Sequence, residues 1–346
     1  MAQIIDLVPP PALTAYVREV PSPTGWILNR FLPDVLVPDI EAGIDRTIKR
    51  NRAAAFRTYD AESPIGARSP FERSRVTLPP ISEKIPLGEH ERLQLERIRS
   101  GGSGNTAQLV DQVYDDGANL AGAIQARMEL ARGDVLTDGK FTLANENGLT
   151  LEADFGLPAE HLVAPSVLWS DRENATPVSD LAAWADQYEE ATGERPGYVV
   201  MSRIAKAHLM ASVEARSLAG LTGPGMVATL DNDQLSAILT ARDLPEIVVY
   251  SAQIDVNGTA TRPIAADRVV MLPTNARDLG YTAWGITAES LEFAASNAGV
   301  LGFEQLPGLF ASVLKEFDPV RTWTKVSGVG MPLIEQPHRL LVADVY

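Results

Sequence analysis

The stretch NTAQLVDQVYDDGANLAGAIQARMELARGD (Asn105–Asp134) predicts a long helix, the clearest element of the chain. Its apolar residues recur four or seven positions apart, as they do on one face of an α-helix: Leu109, Val113, Leu120, Ile124 and Met128. Asn105 and Gln108 have the spacing of a capping box, and Gly133 suits a helix C-cap. We therefore expect a helix over residues 106–132, about 40 Å long.

Three carboxylates lie on another side of this predicted helix, at Asp111, Asp115 and Asp116. Asp111 and Asp115 are four residues apart and share a helix face. A solvated face explains them most simply. The same carboxylates could also accept arginine side chains from another molecule, because guanidinium and carboxylate groups match in geometry.

Downstream of the helix, the sequence alternates predicted strands and helices. Asn147-Gly148 lies between two alternating segments, which is the pattern of a β-hairpin, and Asn257-Gly258 repeats it. Helices are predicted for VSDLAAWADQYEEATG (178–193), RIAKAHLMASVEARSL (203–218) and DNDQLSAILTARDLP (231–245). Strands are predicted for GYVVMS (197–202), EIVVYSAQI (246–254), ADRVVMLPT (266–274) and LGYTAWGI (279–286). Residues 321–346 read as strands that rejoin an earlier sheet, so the mixture indicates an α/β or α+β fold.

Upstream of the helix, two segments lack a regular period. Residues 1 to about 50 are rich in proline and short apolar clusters, with no long periodic helix, which is typical of an extended arm. The stretch FRTYDAESPIGARSPFERSRVTLPPIS (Phe56–Ser82) is interrupted by four prolines, yet it carries Phe56, Tyr59 and Phe71, which a solvated linker has little reason to hold. We interpret it as an arm that folds against something outside its own core.

The length and composition indicate a globular protein of two lobes. The 346 residues exceed the length at which a single core usually stops growing. The chain has no cysteine, which excludes disulfides, thiolate metal sites and cysteine nucleophiles. Its first residues lack a basic stretch before a hydrophobic run, and no run approaches the roughly 18 apolar residues of a membrane span. We therefore expect a soluble, intracellular protein without a membrane partner.

The charge is unevenly distributed along the chain. The net charge is −15, whereas sequence-independent binding of nucleic acid depends on lysine and arginine. Residues 46–75 nevertheless carry eight basic and three acidic side chains, which gives +5 and leaves −20 on the other 316 residues. A nucleic-acid patch would explain this basic segment. Docking onto an identical copy would also explain it, and the acidic remainder favours that second interpretation.

The sequence contains no strong signature of enzymatic chemistry. Asp231 and Asp233 alternate as in a calcium loop, but the central glycine and closing glutamate are missing, so an N-cap is favoured. Four histidines stand far apart and form no metal-ligand pair: His90, His161, His208 and His338. We expect no metal, no cofactor and no catalytic residues. A Ser/His/Asp triad stays open, because such residues meet only in the folded chain.

Five segments, in order along nearly the whole chain, resemble the major capsid protein E family of lambda-like tailed phages. They are FRTYDAESPIGARS (56–69), VLTDGKFTLANENGLTLEADFG (135–156), EIVVYSAQIDVNG (246–258), DRVVMLPTNARDLGYTAWGI (267–286) and WTKVSGVGMPLIEQPHRLLVADV (323–345). The resemblance implies an α+β protein with the Hong Kong 97-type phage capsid fold. The parts would be an N-terminal arm (1–50), an extended loop (51–88), a peripheral domain (89–165 and 317–346) with residues 106–132 as its spine helix, and an axial domain (166–316).

The resemblance also implies a function. The protein would assemble with itself, in pentamers and hexamers, into the icosahedral head shell of a tailed phage. It would enclose double-stranded DNA without sequence-specific binding, and would be made in the host cytoplasm before joining the virion. The expected partners are a scaffolding protein, a portal and a decoration protein. An encapsulin-type nanocompartment shares the fold and is the first alternative, and a soluble hydrolase is a second.

From the charge count and the predicted helix face, we expect one set of residues to lie at contacts between subunits: Arg57, Arg68, Phe71, Arg73, Arg75, Asp111, Asp115 and Asp116. Some shells of this fold are cross-linked between lysine and asparagine side chains. This chain has six lysines, of which Lys84 alone lies in the proposed loop. We therefore expect no cross-linking here.

Overall fold

The computed structural model describes residues 8–46, 57, 72–88, 106–221, 223, 229–296, 306–318 and 320–346. Within these ranges the chain forms seven α-helices: α1 (Pro10–Glu19), α2 (Thr106–Asp138), α3 (Pro177–Thr192), α4 (Arg203–Ala211), α5 (Val213–Leu218), α6 (Asn232–Ala241) and α7 (Ala288–Ser296). The same ranges form sixteen strands: β1 (Asp34–Leu36), β2 (Glu41–Arg46), β3 (Glu72–Thr77), β4 (Pro80–Leu87), β5 (Lys140–Glu146), β6 (Leu149–Asp154), β7 (Leu162–Val163), β8 (Tyr198–Met201), β9 (Glu246–Val249), β10 (Ile254–Val256), β11 (Thr259–Thr261), β12 (Arg268–Leu272), β13 (Gly280–Trp284), β14 (Phe310–Phe317), β15 (Val320–Ile334) and β16 (Leu341–Asp344).

Helix α2 is the predicted long helix, and it is longer than the sequence indicates. It has 33 residues, about 50 Å, and the prediction that it ends at residue 132 with Gly133 as C-cap is wrong. Gly133 lies inside the helix. A Cβ at this position would be 2.2 Å from the carbonyl oxygen of Pro263, so only glycine allows this approach. Gly139, with φ of +71°, follows the last turn instead.

The first described residues pack on α2. The sequence predicts no long helix before residue 50, and the structure adds the ten-residue helix α1. Leu13 and Val17 of α1 are fully buried, and the space they fill lies over Gly117 of α2, where a Cβ would be 3.2–3.3 Å from both side chains. Gln125 of α2 also donates a hydrogen bond to the carbonyl of Val20 (2.9 Å). This part of the arm is therefore anchored to its own chain.

The first sheet joins segments that are distant in sequence. Its order is β1-β13-β15-β14, and β4 also pairs with β15. Strand β15 has 15 residues, which is long enough to pair with three other strands. Strands β14 and β4 pair with its first part, and β13 pairs with residues 330–334. The predicted return of the C-terminal strands to an earlier sheet is thereby confirmed.

The second sheet, of order β7-β16-β12-β8-β9, is buried on both faces. Val200 and Val270 belong to the core beneath α2, whereas their neighbours Val199 and Val269 belong to a second core under α3, α4 and α6. Alternate side chains of a strand point to opposite faces, so both kinds of position must be apolar. This explains the continuous apolar runs in this part of the sequence.

Four local turn and cap signals in the sequence, unlike the one at Gly133, are confirmed. Asn147-Gly148 and Asn257-Gly258 have positive φ angles and connect β5 to β6 and β10 to β11. Gly193 ends α3 in the left-handed conformation. Asp231 caps α6 through a full capping box with Gln234.

Two predicted elements are divided in the structure. The helix predicted over 203–218 breaks at Ser212, whose backbone is extended and whose hydroxyl donates to the Leu209 carbonyl and accepts from Ala215 N–H. The strand predicted over 246–254 ends at Val249, and the buried side chain of Tyr250 instead reaches Glu129 of α2, with the two oxygens 2.9 Å apart.

Candidate inter-subunit surfaces

Strands β2 and β3 form a two-stranded ribbon that pairs only with itself among the described strands. Its register runs from Glu41 opposite Thr77 to Arg46 opposite Glu72. A Cβ added at Gly43 would meet no atom within 4 Å, so the ribbon is open to its surroundings at that point. Arg75 is exposed and lies 3.6 Å from Glu41 across the ribbon. An exposed pair at this distance contributes only about 0–1 kcal/mol, so Arg75 can exchange partners at small cost.

The other predicted contact residues of the basic segment are described only in part. Arg57 is exposed. Arg73 lies on β3 of the ribbon. Arg68 and Phe71 lie outside the described residues. The assignment of this set to subunit contacts therefore stays a prediction.

The predicted acidic residues lie on the N-terminal half of α2. Asp111 and Asp115 are exposed, whereas Asp116 is half-buried and engaged in the structure. Tyr114, between them, packs edge-on against Tyr16 of α1, with ring centroids 4.9 Å apart. Helix α1 thus covers one side of α2 and leaves Asp111 and Asp115 outward. We call this pair the acidic face.

A buried ionic network lies at the C-terminal half of α2, and the sequence analysis did not identify it. Glu129 is 1% exposed and accepts hydrogen bonds from the Leu28 backbone N–H (3.0 Å) and from the Tyr250 hydroxyl (2.9 Å). Arg132, one helical turn on, lies 3.4 Å from Glu129 and donates to Asp34 (2.6 Å). Burial and the adjacent Glu129 carboxylate raise the pKa of Tyr250, so its hydroxyl remains a donor.

This network continues into the first sheet. Arg132 Nε donates to Thr282 Oγ1 (2.9 Å), and Thr282 donates to the Leu32 carbonyl (2.8 Å). Trp284 Nε1 donates to the same Asp34 carboxylate (2.7 Å). One cluster of polar groups therefore joins the arm, α2 and the first sheet. Arg132 lies four residues after Met128, on the apolar stripe of the helix, and that position is the signal that could have identified it.

A groove of about 780 Å³ runs beside α2, between β4 and the β5–β6 and β10–β11 hairpins. The buried side chains of Ile124, Met128 and Phe141 line it. Arg127 and Glu146 form an ion pair at its edge. The groove is a second surface, apolar inside and charged at the rim, at which another chain could pack.

Other chemistry is sparse in the part of the chain that the structure describes. No group of three or more His, Asp or Glu residues there could hold a metal ion. None of the described helices is long and apolar enough to cross a membrane. His161 is buried, and its Nδ1 lies 2.8 Å from the Leu340 carbonyl, which is a structural role.

Comparison with known proteins extends over the whole molecule. The family model described as phage major capsid protein E matches residues 10–345. A structure named as a prophage capsid protein of E. coli CFT073 is similar over 98% of this chain and 99% of that one, with a TM-score of 0.63 and 16% identity. A phage-related protein from Bordetella bronchiseptica RB50 is similar over 96% of both chains, with a TM-score of 0.58 and 13% identity. No curated protein matches this chain.

Proposed function

This chain belongs to the phage major capsid protein E family and has the Hong Kong 97-type capsid fold, and we propose that it assembles with itself into the icosahedral head shell of a tailed phage. The family is a family of structural capsid proteins, so the chain is a capsid shell protein of the virion. We infer that it has no catalytic role. It is made in the host cytoplasm and encloses double-stranded DNA, which its net charge of −15 keeps from adhering tightly.

The observation that carries the assembly proposal is the β2–β3 ribbon. It joins neither large sheet, although Ala42 and Val76 at its base pack into the core of the chain, and the basic segment of residues 46–75 is attached to it. A ribbon of two strands is marginally stable by itself in water. A second copy of the chain would supply the packing that it lacks, and contacts of this heterologous kind close into rings and shells.

We further propose that the basic segment docks on the acidic face of a neighbouring copy. Asp111 and Asp115 are exposed and four residues apart on a rigid helix, a spacing that suits an arginine fork. Arg68, Arg73 and Arg75 are the donors we propose, with Arg57 and Phe71 beside them and Asp116 at the margin of the acidic face. Each exposed pair contributes only about 0–1 kcal/mol, but a shell repeats it in every subunit.

The division into parts remains a proposal. The arm would cover residues 1–50, the extended loop 51–88, the peripheral domain 89–165 with 317–346, and the axial domain 166–316. A scaffolding protein, a portal and a decoration protein are the partners that a phage head of this kind would use. An encapsulin-type compartment is the alternative: electron microscopy of purified particles with analysis of their contents would reveal DNA in one case and a cargo enzyme in the other.

A charge exchange tests the docking. We expect R68E/R73E/R75E to abolish particle formation, measured by sedimentation and negative-stain microscopy, with an unchanged circular dichroism spectrum. Adding D111R/D115R to that variant should restore particles, because the charges are then complementary again. Full particle yield from the first variant, or no rescue by the second, would contradict the docking. The control E190Q changes an exposed carboxylate of α3 and should assemble normally.

A deletion tests the role of the loop itself. Removing residues 56–82 would also remove β3 and the start of β4, which pairs with β15, so a deletion of residues 58–70 is the sharper test. We expect small oligomers of folded protein in place of hollow particles. Normal shells from the deletion variant would show that the loop is dispensable.

A further inference from the structure

A cavity of about 440 Å³ lies beside α4, far in sequence from the surfaces described above. Three arginines line it: Arg172 from the loop before α3, Arg203 from the first turn of α4, and Arg262 from the segment after β11. His208 and Ser251 complete its polar lining. Cationic and hydrogen-bonding side chains from four separate segments therefore face one space.

The three guanidinium groups make no ion pair with any carboxylate of the described residues. Some other arginines have such partners: Arg132 bonds Asp34 and Arg195 bonds Asp186, both at 2.6 Å. The chain has 45 acidic and 30 basic residues, so carboxylates are the more abundant group. Three guanidinium groups without one, around a single cavity, make that cavity positively charged, which favours a bound anion.

Two further groups in the cavity have hydrogen-bonding capacity left over. Ser251 Oγ accepts from the Arg203 backbone N–H (3.2 Å), which leaves the serine hydroxyl hydrogen to be donated. Nδ1 of His208 is buried and has no hydrogen-bond partner among the residues that the structure describes. A buried polar atom without a partner is unfavourable, so this histidine is not fully satisfied by the fold as described.

We propose that this cavity is a binding site for a phosphate group. Phosphate carries up to two negative charges at neutral pH and offers oxygens in tetrahedral directions, and the donors of the cavity come from four separate segments. A carboxylate has one charge and a planar pair of oxygens, which one guanidinium fork already satisfies. Three forks, a hydroxyl and an imidazole therefore fit phosphate better than they fit a carboxylate from a second copy.

His208 supplies a way to detect occupancy. Burial and the nearby positive charge of Arg172 lower the pKa of His208 in the empty protein. Arg172 is the charged group that acts on this histidine, Arg203 and Arg262 line the same cavity, and the ring of Tyr346 lies 5.3 Å from the imidazole. A phosphate dianion in the cavity would offset the arginine charges, so the pKa of His208 should rise on binding.

Calorimetric titration of the full chain with inorganic phosphate tests the proposal, and it does not depend on shell formation. We expect binding of one phosphate per chain, and binding at least about tenfold weaker in R172Q/R262Q, because two charge-assisted contacts are lost. R242Q/R277Q removes two exposed arginines outside the cavity and should bind as the wild type does. If R172Q/R262Q does not fold, R203Q gives the same comparison.

The remaining measurements identify the source of the phosphate. If a short DNA duplex competes with inorganic phosphate for the wild type but not for R172Q/R262Q, the site also takes phosphodiesters. If the duplex does not compete, the ligand is a free phosphate. Absence of phosphate binding by the wild type, equal loss in the control, or an unchanged His208 pKa on saturation would overturn the proposal. Lost assembly of R172Q/R262Q without phosphate binding would assign the cavity to a carboxylate of a second copy.

Discussion

The charged side chain of Arg132 is only 6% exposed, so the effect of replacing Arg132 depends on the groups that it contacts. In R132M, the carboxylate of Glu129 would stay buried and lose its cation, because Leu28 N–H and the Tyr250 hydroxyl are its only other described donors. Breaking a buried ion pair in this way destabilises by about 3–5 kcal/mol. We expect a shift of that size in the free energy of unfolding, measured by urea denaturation of unassembled chains.

The matched control for Arg132 is Arg75. It also pairs with a carboxylate, Glu41, but both side chains are largely in solvent. R75M should therefore change the free energy of unfolding by less than about 1 kcal/mol. Equal effects of the two substitutions would show that the buried network does not stabilise the fold as its geometry indicates.

Glu289 makes stability depend on pH in a defined direction. Burial by itself would raise the pKa of Glu289, but the hydrogen bond and charge of Lys325 lower it below the ordinary 4.5. The folded state therefore binds this proton more weakly than the unfolded state. The stabilisation is present above about pH 4.5 and is lost as the pH falls through the folded pKa.

The variant E289Q should consequently lose less stability than the wild type between about pH 5 and pH 3, when thermal unfolding is followed across that range. E292Q, which removes an exposed carboxylate from the same helix, is the control. If the stability of E289Q and of the wild type changed with pH in parallel, the ion pair between Glu289 of α7 and Lys325 of β15 would not be the source of the pH dependence.

At the scale of elements, two of the three glycines of α2, Gly122 and Gly133, have opposite surroundings. A Cβ at Gly133 would lie 2.2 Å from the Pro263 carbonyl oxygen, whereas a Cβ at Gly122 would meet nothing within 4 Å. We expect G133A to destabilise the protein by about 1–3 kcal/mol through overpacking. G122A should stabilise it by about 0.5–1 kcal/mol, because alanine favours the helix. Denaturation of both variants measures the change in the free energy of unfolding. A change of the same sign in both variants would contradict this packing.

The elements that could be predicted from the sequence are those whose signals are local. The start of α2 at Thr106, the turn at Asn147-Gly148 and the cap at Asp231 each depend on a few neighbouring residues. At the positions that the sequence assigned wrongly, the structure is decided by residues far away in the sequence. Gly133 resembles a cap until Pro263 is seen beside it, and Tyr250 continues a strand pattern although its hydroxyl bonds α2.

The residues of the candidate surfaces also differ in whether they could be predicted from the sequence. Exposed charge is readable from sequence, so Asp111 and Asp115 were identified and found exposed. The convergence of Arg172, Arg203 and Arg262 was not predictable, because they come from three segments that meet only in the folded chain. The spacing of residues along the sequence does not show which distant residues lie close together in the folded chain.

At the scale of the whole particle, we expect a shell held without covalent links. Lys84 lies on β4, and its ammonium is 4.1 Å from the ring centroid of Trp323, an arrangement that engages it in a cation–π contact. Particles boiled in detergent should therefore run as one band near 37.3 kDa. A ladder of multimers on that gel would show cross-linking and contradict the expectation.

The first sheet also sets the order of events when the chain is made. Residues 34–36 pair with 282–284, and β4 pairs with residues 322–329, so strands wait for partners synthesised about 240 residues later. At roughly 5–20 residues per second, that interval is about 10–50 s on the ribosome. Native pairing in this sheet cannot be completed before β15 has emerged. Translation thus imposes a delay between the appearance of β4 and its pairing with β15, so this sheet is completed only late in the synthesis of the chain.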